Sequence, residues 1–99
     1  MSGTWVSQGD TIPILIPVKD EDLTKAISAE IQVMRPDGKE ATWDVDVIES
    51  HKVIHHLRDG DVDIPGLYVL TVHVQMPDNQ EFWAYRGPGG FYLRVRPKS

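Results

Sequence analysis

Residues 61–76 read Asp-Val-Asp-Ile-Pro-Gly-Leu-Tyr-Val-Leu-Thr-Val-His-Val-Gln-Met and carry the strongest structural pattern in the chain. The segment begins as a turn, because Pro65 has a restricted φ and Gly66 can adopt the positive φ that a sharp corner needs. From Tyr68 to Met76, apolar side chains occupy every second position. A period of two in a segment rich in β-branched residues predicts a strand with one buried face.

The turn and the strand together have the pattern of a tyrosine corner. Tyr68 follows Gly66 by two residues, at the start of the predicted strand. In Greek-key sandwiches, a tyrosine at such a position ties its hydroxyl back to the backbone of the preceding turn. We therefore expect Pro65, Gly66 and Tyr68 to form a structural corner.

Six other segments have strand patterns, separated by turn residues at the spacing of an all-β sandwich. They cover residues 11–18, 25–34, 40–48, 52–58, 81–86 and 91–96. In the first of them, Pro13 and Pro17 lack the N–H that a neighbouring strand would need on that side, so we expect an edge strand there. The predicted fold is all-β: an immunoglobulin-like β-sandwich of about seven antiparallel strands in a Greek key.

The length of 99 residues suits one domain with a sufficient core. We predict a flexible N-terminal arm at residues 1–9, a single sandwich domain at residues 10–96 and a C-terminal tail at residues 97–99. Trp5 is the largest apolar side chain of the arm, and it could dock on the domain itself or on a neighbouring subunit.

The composition argues against several classes of function. A formal net charge of −5 disfavours nucleic-acid binding, which needs clustered Lys and Arg. The chain has no cysteine, which excludes disulfides, thiolate metal sites and cysteine nucleophiles and fits intracellular assembly. The N-terminus lacks a signal-peptide pattern, and the longest apolar run, residues 12–18, is too short to cross a membrane.

Residues with catalytic or metal-binding chemistry do not form a recognisable motif. The four histidines include an adjacent pair, His55 and His56, which a strand would direct to opposite faces. The acidic groups within residues 20–22 and 59–63 lack the glycine and distal glutamate of an EF-hand loop. No serine lies in a Gly-x-Ser-x-Gly motif, and residues 87–90 lack the lysine of a phosphate-binding loop. We therefore predict no enzyme activity, no cofactor and no metal site.

Aromatic and arginine side chains flank residues 87–90 in the sequence. These residue types are enriched in the cores of protein interfaces. Because strands alternate, some of the rings must face away from the core, although Phe82 or Trp83 together with Phe91 could instead fill the end of the sandwich. With the aromatic residue of the arm, the candidate interaction surface comprises Trp5, Trp83, Tyr85, Arg86, Phe91, Tyr92 and Arg94.

The order of motifs resembles a known family. Asp22-Leu23-Thr24-Lys25-Ala26 follows the first strand, Arg35-Pro36-Asp37-Gly38 ends the second, and residues 61–68 precede the long strand that closes at Met76-Pro77-Asp78. Over residues 10–96 this is similar to the small immunoglobulin-like domain of tailed-phage and prophage structural proteins, such as the N-terminal domain of baseplate upper proteins.

The resemblance implies a non-enzymatic virion structural or assembly protein of the tail, the baseplate or a head–tail adaptor or decoration component. Its location would be the virion and, during assembly, the host cytoplasm. Its partners would be other virion proteins or further copies of the chain as a homo-oligomer, with no nucleic acid and no membrane.

Two other interpretations of the sequence remain open. The first is a module that binds carbohydrate or another surface ligand, with Trp83 and Tyr85 stacking on sugars. The second is a calcium-dependent adhesion domain. The direction of the aromatic rings separates the leading interpretations, because a flat patch beside an edge strand favours protein assembly and a groove with polar groups favours a sugar.

Overall fold

Nine strands are present in the residues that the structure, a computed structural model, describes, namely 3–19, 21–86 and 90–98. They are β1 (Gly3–Ser7), β2 (Pro13–Pro17), β3 (Ser28–Met34), β4 (Glu40–Asp44), β5 (Val47–Glu49), β6 (Lys52–His56), β7 (Gly66–Gln75), β8 (Glu81–Ala84) and β9 (Phe91–Arg96). These ranges contain no helix, and so none that is long and apolar enough to cross a bilayer. The all-β class predicted from the sequence is confirmed.

The strands are divided between two sheets that share one core in a sandwich-like arrangement. The large sheet has six strands in the order β1-β9-β7-β3-β4, with β8 paired to the second half of β7. The small sheet has the order β2-β6-β5. Because β7 pairs with β3, β8 and β9, the strand after the predicted corner organises the large sheet.

The core lies between the sheets and follows from the alternation along each strand. The inward residues of β7 are Tyr68, Leu70, Val72 and Val74, and all four are fully buried. The inward apolar residues of β2 and β6 cover them from the small sheet. The outward residues of β7 are therefore the ones left for contacts with other molecules.

The start of β7 has the geometry of a tyrosine corner. The Tyr68 hydroxyl donates a hydrogen bond to the Ile64 carbonyl oxygen at 2.8 Å. Gly66 has a φ of +133°, which side chains of L-residues rarely adopt, and a Cβ there would lie 2.8 Å from the Cβ of Pro36. The corner thus fixes β7 to its own turn and packs it closely against the turn between β3 and β4.

β2 is an edge strand of the small sheet, as predicted from its prolines. The Ile12 carbonyl accepts a hydrogen bond from the Leu57 N–H at 3.0 Å. The even-numbered residues of this segment therefore pair with β6, and Pro13 and Pro17 face the open side. Their missing N–H groups hinder the addition of a further strand.

Three features differ from the sequence-based expectations. Residues 3–7, expected in a flexible arm, form β1, which pairs in parallel with β9 and buries Val6. Residues 40–48, expected as one strand, are divided between β4 in the large sheet and β5 in the small one. The described residues thus form nine strands with one parallel pair, rather than about seven antiparallel strands.

Candidate interaction surface

The outer face of the large sheet consists of the alternate residues that point away from the core. The strand registers arrange these side chains in rows across the sheet. In order along β7, the rows are Trp5 with Arg94 and Leu67; Tyr92 with Val69, Met34 and Glu40; Thr71 with Gln32 and Thr42; Trp83 with His73, Glu30 and Asp44; and Glu81 with Gln75 and Ser28. The face thus has a basic end, a largely apolar middle with one carboxylate on β4, and an acidic end.

The basic end is the tryptophan corner, which we define as Trp5, Arg94 and Arg96. Trp5 is 56% exposed. The guanidinium carbons of Arg94 and Arg96 lie 5.5 and 4.4 Å from the centroid of its ring. Among the described residues, neither guanidinium has a carboxylate within ion-pair distance. The corner is therefore an exposed ring in contact with two cations, neither of which has an anionic partner in the described ranges.

Two other arginines are paired, in contrast to those of the tryptophan corner. Arg35 bonds to Asp63, which raises the pKa of Arg35 and lowers that of Asp63. Arg58 bonds to Asp46, which raises the pKa of Arg58. These pairs lie at the loops that surround the sandwich, so their charges are already neutralised within the chain.

The open edge of β1 is partly blocked by the turn that follows it. Asp10 Oδ2 accepts a hydrogen bond from the Ser7 N–H at 2.8 Å, and the Asp10 N–H donates to the Ser7 carbonyl at 3.0 Å. The Gln8 N–H donates to the Arg96 carbonyl oxygen on β9. The backbone N–H and C=O groups of the odd-numbered residues of β1 therefore face the open side. Because the Ser7 N–H and C=O groups are both hydrogen-bonded to Asp10, little of the edge remains for the addition of another strand.

The middle of the outer face combines apolar and polar side chains and is slightly hollow. Met34, Val69 and Tyr92 form its central row, and Met34 is 42% exposed. A shallow groove of about 480 Å³ runs along β3, β4 and β7, and the hydroxyls of Thr42 and Thr71 lie beside its apolar side chains. The Glu40 side chain, on β4 opposite Met34, also lines the groove, so the groove is partly acidic.

The acidic end carries the carboxylates of Glu30, Asp44 and Glu81. The His73 ring lies between two of them, with Nε2 at 3.0 Å from Glu81 Oε2 and Nδ1 at 3.6 Å from Glu30 Oε1. The hydrogen bond from His73 holds the pKa of Glu81 below its usual value. His73 also stacks on Trp83 at 4.1 Å between ring centroids, and Arg86 lies 4.9 Å from the same indole.

The acidic end does not have the geometry of a metal site. The two nitrogens of His73 contact carboxylates on opposite sides of the ring, so these donors do not converge on one point. In the parts of the chain that the structure describes, no group of three or more His, Cys, Asp or Glu side chains could hold a metal ion. We therefore treat the acidic end as a charged surface.

A second histidine is enclosed in the sandwich and has a structural role. His55 is 1% exposed and stacks on Trp43 at 4.9 Å. Its Nδ1 lies 2.6 Å from the Asp44 carbonyl oxygen, and its Nε2 lies 2.8 Å from Asp61 Oδ2. These contacts join β6 to β4 and to the turn before the tyrosine corner. His55 belongs to the small sheet and His73 to the large one, so they do not form a joint site.

Most of the surface residues that the sequence predicts lie on or beside the outer face. Trp5, Tyr92 and Arg94 lie at its basic half, and Trp83 lies at its acidic end with Arg86 over the ring. The sequence therefore identifies members of two regions, but it does not show that one sheet face connects them.

Phe91 and Tyr85 do not belong to the predicted surface. Phe91 is 3% exposed, because it occupies an inward position of β9. The Tyr85 ring meets Phe91 edge-on at 5.4 Å, and its hydroxyl donates to the Pro17 carbonyl of the small sheet. These two aromatic residues join the sheets. The sequence predicts a loop at residues 87–90, of which residues 87–89 lie outside the described residues.

Sequence reasoning missed Arg96 and Leu67 as members of the surface. The alternation along residues 91–96 already places Arg96 on the same side as Tyr92 and Arg94. The role of Arg96 beside Trp5 depends on the pairing of β1 with β9, which joins opposite ends of the chain. Local patterns carry no signal for that pairing.

Comparisons with known proteins bear on the fold. No protein-family model matches the chain, and no curated protein matches it in sequence. Among solved structures, the chain is similar to CopC from Methylosinus trichosporium OB3b, with a TM-score of 0.59 and 12% sequence identity. The match covers 100% of this chain and 88% of the CopC chain. At this level of identity the likeness concerns the fold alone.

The comparison corrects the predicted function. The sequence predicts a phage or prophage virion protein, whereas the similarity found among solved structures is to CopC. The motifs behind that expectation contain Gly38, in the turn after β3, and Gly66, at the start of β7, and both have positive φ. Turn chemistry of this kind indicates a β-sandwich without specifying its family. The findings thus establish a sandwich-like fold similar to that of CopC.

Proposed function

We propose that this protein is a non-catalytic domain that binds a protein partner at the tryptophan corner, and that the partner presents carboxylates there. The observation that supports this most directly is the exposed Trp5 ring beside the guanidinium groups of Arg94 and Arg96, which have no carboxylate nearby in the described ranges.

The chemistry of the corner suits this role. Trp and Arg are the residues most enriched among the energetically dominant positions of protein interfaces. A ring that two cations already hold loses little side-chain freedom on binding, which reduces the entropic cost of association. A carboxylate that enters the corner would form charge-assisted hydrogen bonds with Arg94 or Arg96.

The distribution of charge favours an acidic partner at this place. The chain has 15 acidic and 10 basic side chains, so the protein as a whole repels anions. The corner concentrates Arg94 and Arg96, and Lys98 follows them in the sequence. An acidic segment would be attracted to the corner and repelled by most of the remaining surface, which orients the encounter.

The partner would bind through side chains rather than by adding a strand to the sheet. Asp10 is hydrogen-bonded to the backbone of Ser7 at the open edge of β1, and the prolines of β2 face the open side of the small sheet. Both features limit pairing along an open edge. The exposed side chains of the outer face have no comparable obstruction.

We also infer that the sandwich is a variant of the immunoglobulin-like Greek key. Tyr68 at the start of β7 and the buried Trp43 on β4 are features that support this relation. The parallel pairing of β1 with β9 would then be an addition to the antiparallel framework.

A fluorescence titration tests the proposed docking site, since Trp5 is exposed at the corner. The ligands are a short peptide rich in Asp and Glu and a matched peptide in which Asn and Gln replace the acids. We expect the acidic peptide to bind more tightly, and we expect Arg94→Ala and Arg96→Ala each to weaken its binding about tenfold. Arg86→Ala is the matched control, because Arg86 also lies over a tryptophan but outside the corner.

Two results would overturn the proposal. Equal affinity of the wild type and both corner variants for the acidic peptide would remove the corner as the docking site. Binding to vesicles of anionic lipid or to single-stranded DNA, without binding to the peptide, would replace the protein partner by that class of ligand.

A further inference from the structure

We infer that the segment of the partner that docks at the tryptophan corner carries a basic side chain two residues from its acidic one, and that the basic group binds Asp10. This inference rests on the proposed function and specifies the partner's docking segment further. It is carried by a hollow beside Trp5, in which Arg96 and Asp10 present opposite charges without forming an ion pair with each other.

The hollow lies where the outer face of the large sheet meets the open edge of β1. Its volume is about 200 Å³, and its lining includes Trp5, Ser7, Asp10 and Arg96. Ser7 and Arg96 are register partners, so they extend the outer face by one row beyond Trp5 and Arg94. Arg96 approaches the hollow from β9, whereas Asp10 approaches it from the open side of β1, where it is bonded to Ser7. The hollow therefore has a cation on one side and an anion on the other.

Both charges are available to a ligand. Among the described residues, Asp10 has no Lys, Arg or His within ion-pair distance, and Arg96 has no carboxylate within that distance. The two hydrogen bonds between Asp10 and the Ser7 backbone fix the position of the carboxylate. A carboxylate has about four acceptor positions, so the Ser7 N–H leaves most of them open.

The size of the hollow matches two charged side chains of one extended segment. A sphere of 200 Å³ has a diameter of about 7 Å, close to the spacing of about 6.6 Å between residues i and i+2 of an extended chain. Side chains at these two positions point in the same direction. An acid and a base spaced in this way can reach Arg96 and Asp10 together, and the apolar stem of the base can lie along the Trp5 ring.

Asp10 also gives the site a means of discrimination. A segment that carried a carboxylate at both positions would bring the second one towards Asp10, and like charges in contact oppose binding. A basic side chain at the second position replaces this repulsion by attraction. The site would therefore select a segment with both charges over one that is acidic throughout.

Two other hollows of the outer face lack this combination of charges. Glu40 is the charged residue of the groove along β3, β4 and β7, and Glu30 and Asp44 line a hollow at the acidic end. Among the described residues that line these two hollows, there is no Lys or Arg. We therefore assign the segment of mixed charge to the hollow beside Trp5.

Fluorescence titration at low salt with peptides of equal length tests the arrangement. Each peptide has one Glu, with Lys two positions after it, Lys two positions before it, or Gln at both of these places. We expect one of the two Lys peptides to bind the wild type about threefold more tightly than the Gln peptide, which is the effect of an exposed ion pair. Moving its Lys next to the Glu should remove this gain, because adjacent side chains of an extended segment point in opposite directions.

Asp10→Asn tests the role of the carboxylate. The amide oxygen of Asn can still accept the Ser7 N–H, so the turn should be retained, and circular dichroism and the denaturation midpoint check this. The variant should lose the gain from Lys without weaker binding of the Gln peptide. Asp22→Asn is the matched control, because Asp22 also accepts a backbone N–H in a turn but lies outside the hollow. This variant should keep the gain.

The outcomes separate this inference from the proposed function. Equal affinity of the wild type for the Lys and Gln peptides, or a gain that persists in Asp10→Asn, would overturn the inference. If Arg94→Ala and Arg96→Ala still weaken binding of the Gln peptide in that case, the docking site of the proposed function remains. If those two variants bind every peptide as the wild type does, the proposed function fails together with the inference.

Discussion

At the scale of single residues, Tyr68 shows how one hydroxyl connects sequence to fold. The side chain is fully buried, and its hydroxyl donates to the Ile64 carbonyl at 2.8 Å. Burial raises the pKa of Tyr68, so the phenol remains protonated and available as a donor. The turn before β7 is thereby fixed by the strand that it introduces.

Tyr68→Phe should keep the fold and lower the free energy of unfolding by about 1–2 kcal/mol, because the Ile64 carbonyl loses a buried donor. Urea denaturation measures the effect. Tyr92→Phe is the control, since Tyr92 lies on the outer face of β9. An unchanged denaturation midpoint for Tyr68→Phe would show that the corner bond does not contribute to stability.

Substitutions at Gly66 and Gly38 separate the cost of a close side-chain contact from the cost of an unfavourable φ. Both have positive φ, but a Cβ at Gly66 would lie 2.8 Å from the Cβ of Pro36, whereas a Cβ at Gly38 would meet nothing within 4 Å. Each Gly→Ala change should cost about 1 kcal/mol for the unfavourable φ. Gly66→Ala should cost more than Gly38→Ala in thermal or urea denaturation, and equal losses would contradict the close packing against Pro36.

At the scale of elements, the chain crosses between the sheets where the sequence reads as one strand. Residues 40–48 alternate without interruption, but β4 ends at Asp44 and β5 begins at Val47 in the other sheet. Asp46 lies at the crossing, where it accepts a hydrogen bond from the His56 N–H at 2.7 Å and pairs with Arg58. These contacts bind the crossing to β6 and the segment after it.

The crossing should make the protein sensitive to acid. The His56 N–H and then Arg58 lower the pKa of Asp46 from its ordinary value of 3.8. Because the folded pKa is below the unfolded one, this contribution to stability is complete above the unfolded pKa and is lost as the pH falls through the folded pKa.

Asp46→Asn should therefore lower the free energy of unfolding near neutral pH. Between about pH 5 and about pH 2, the free energy of unfolding of the variant should fall less than that of the wild type. Urea denaturation across this range measures both effects. Asp78→Asn, in the exposed turn between β7 and β8, is the control. A variant whose stability falls with acid as steeply as that of the wild type would contradict the assignment of Asp46.

At the scale of the whole molecule, the positive charge of the outer face is concentrated at the tryptophan corner. The formal net charge is −5, yet Arg94 and Arg96 lie together at one end of the face, while Glu30, Asp44 and Glu81 lie at the other. Net charge alone would predict repulsion of an anionic partner. The local concentration of the two arginines allows attraction at this one place.

Salt should weaken the binding of the acidic peptide at the tryptophan corner. The Debye length falls from about 30 Å at 0.01 M to about 3 Å at 1 M ionic strength, so contacts between exposed charges are screened. Fluorescence titration of the wild type with this peptide at increasing sodium chloride measures this, with Arg94→Ala as the variant whose weaker binding should depend less on salt. Binding that strengthens with salt would indicate an apolar contact instead.

Several features follow from the sequence because their causes are local. The all-β class, the edge position of β2 and the strand after Gly66 were predicted from alternation, proline chemistry and turn residues. These patterns involve only a few neighbouring residues, because the fixed φ of proline and the alternation of side chains along a strand are properties of the local backbone. They also identified Trp5, Trp83 and Arg94 as candidates for a surface.

Only the tertiary structure decides how those local pieces are combined. The pairing of β1 with β9, the change of sheet at Asp46 and the burial of Phe91 all depend on contacts between segments that are distant in sequence. Alternation assigns residues to two faces, but it cannot say which face another segment covers or which strand lies beside it. The charged and apolar rows of the outer face exist only once the registers of the large sheet bring them into line.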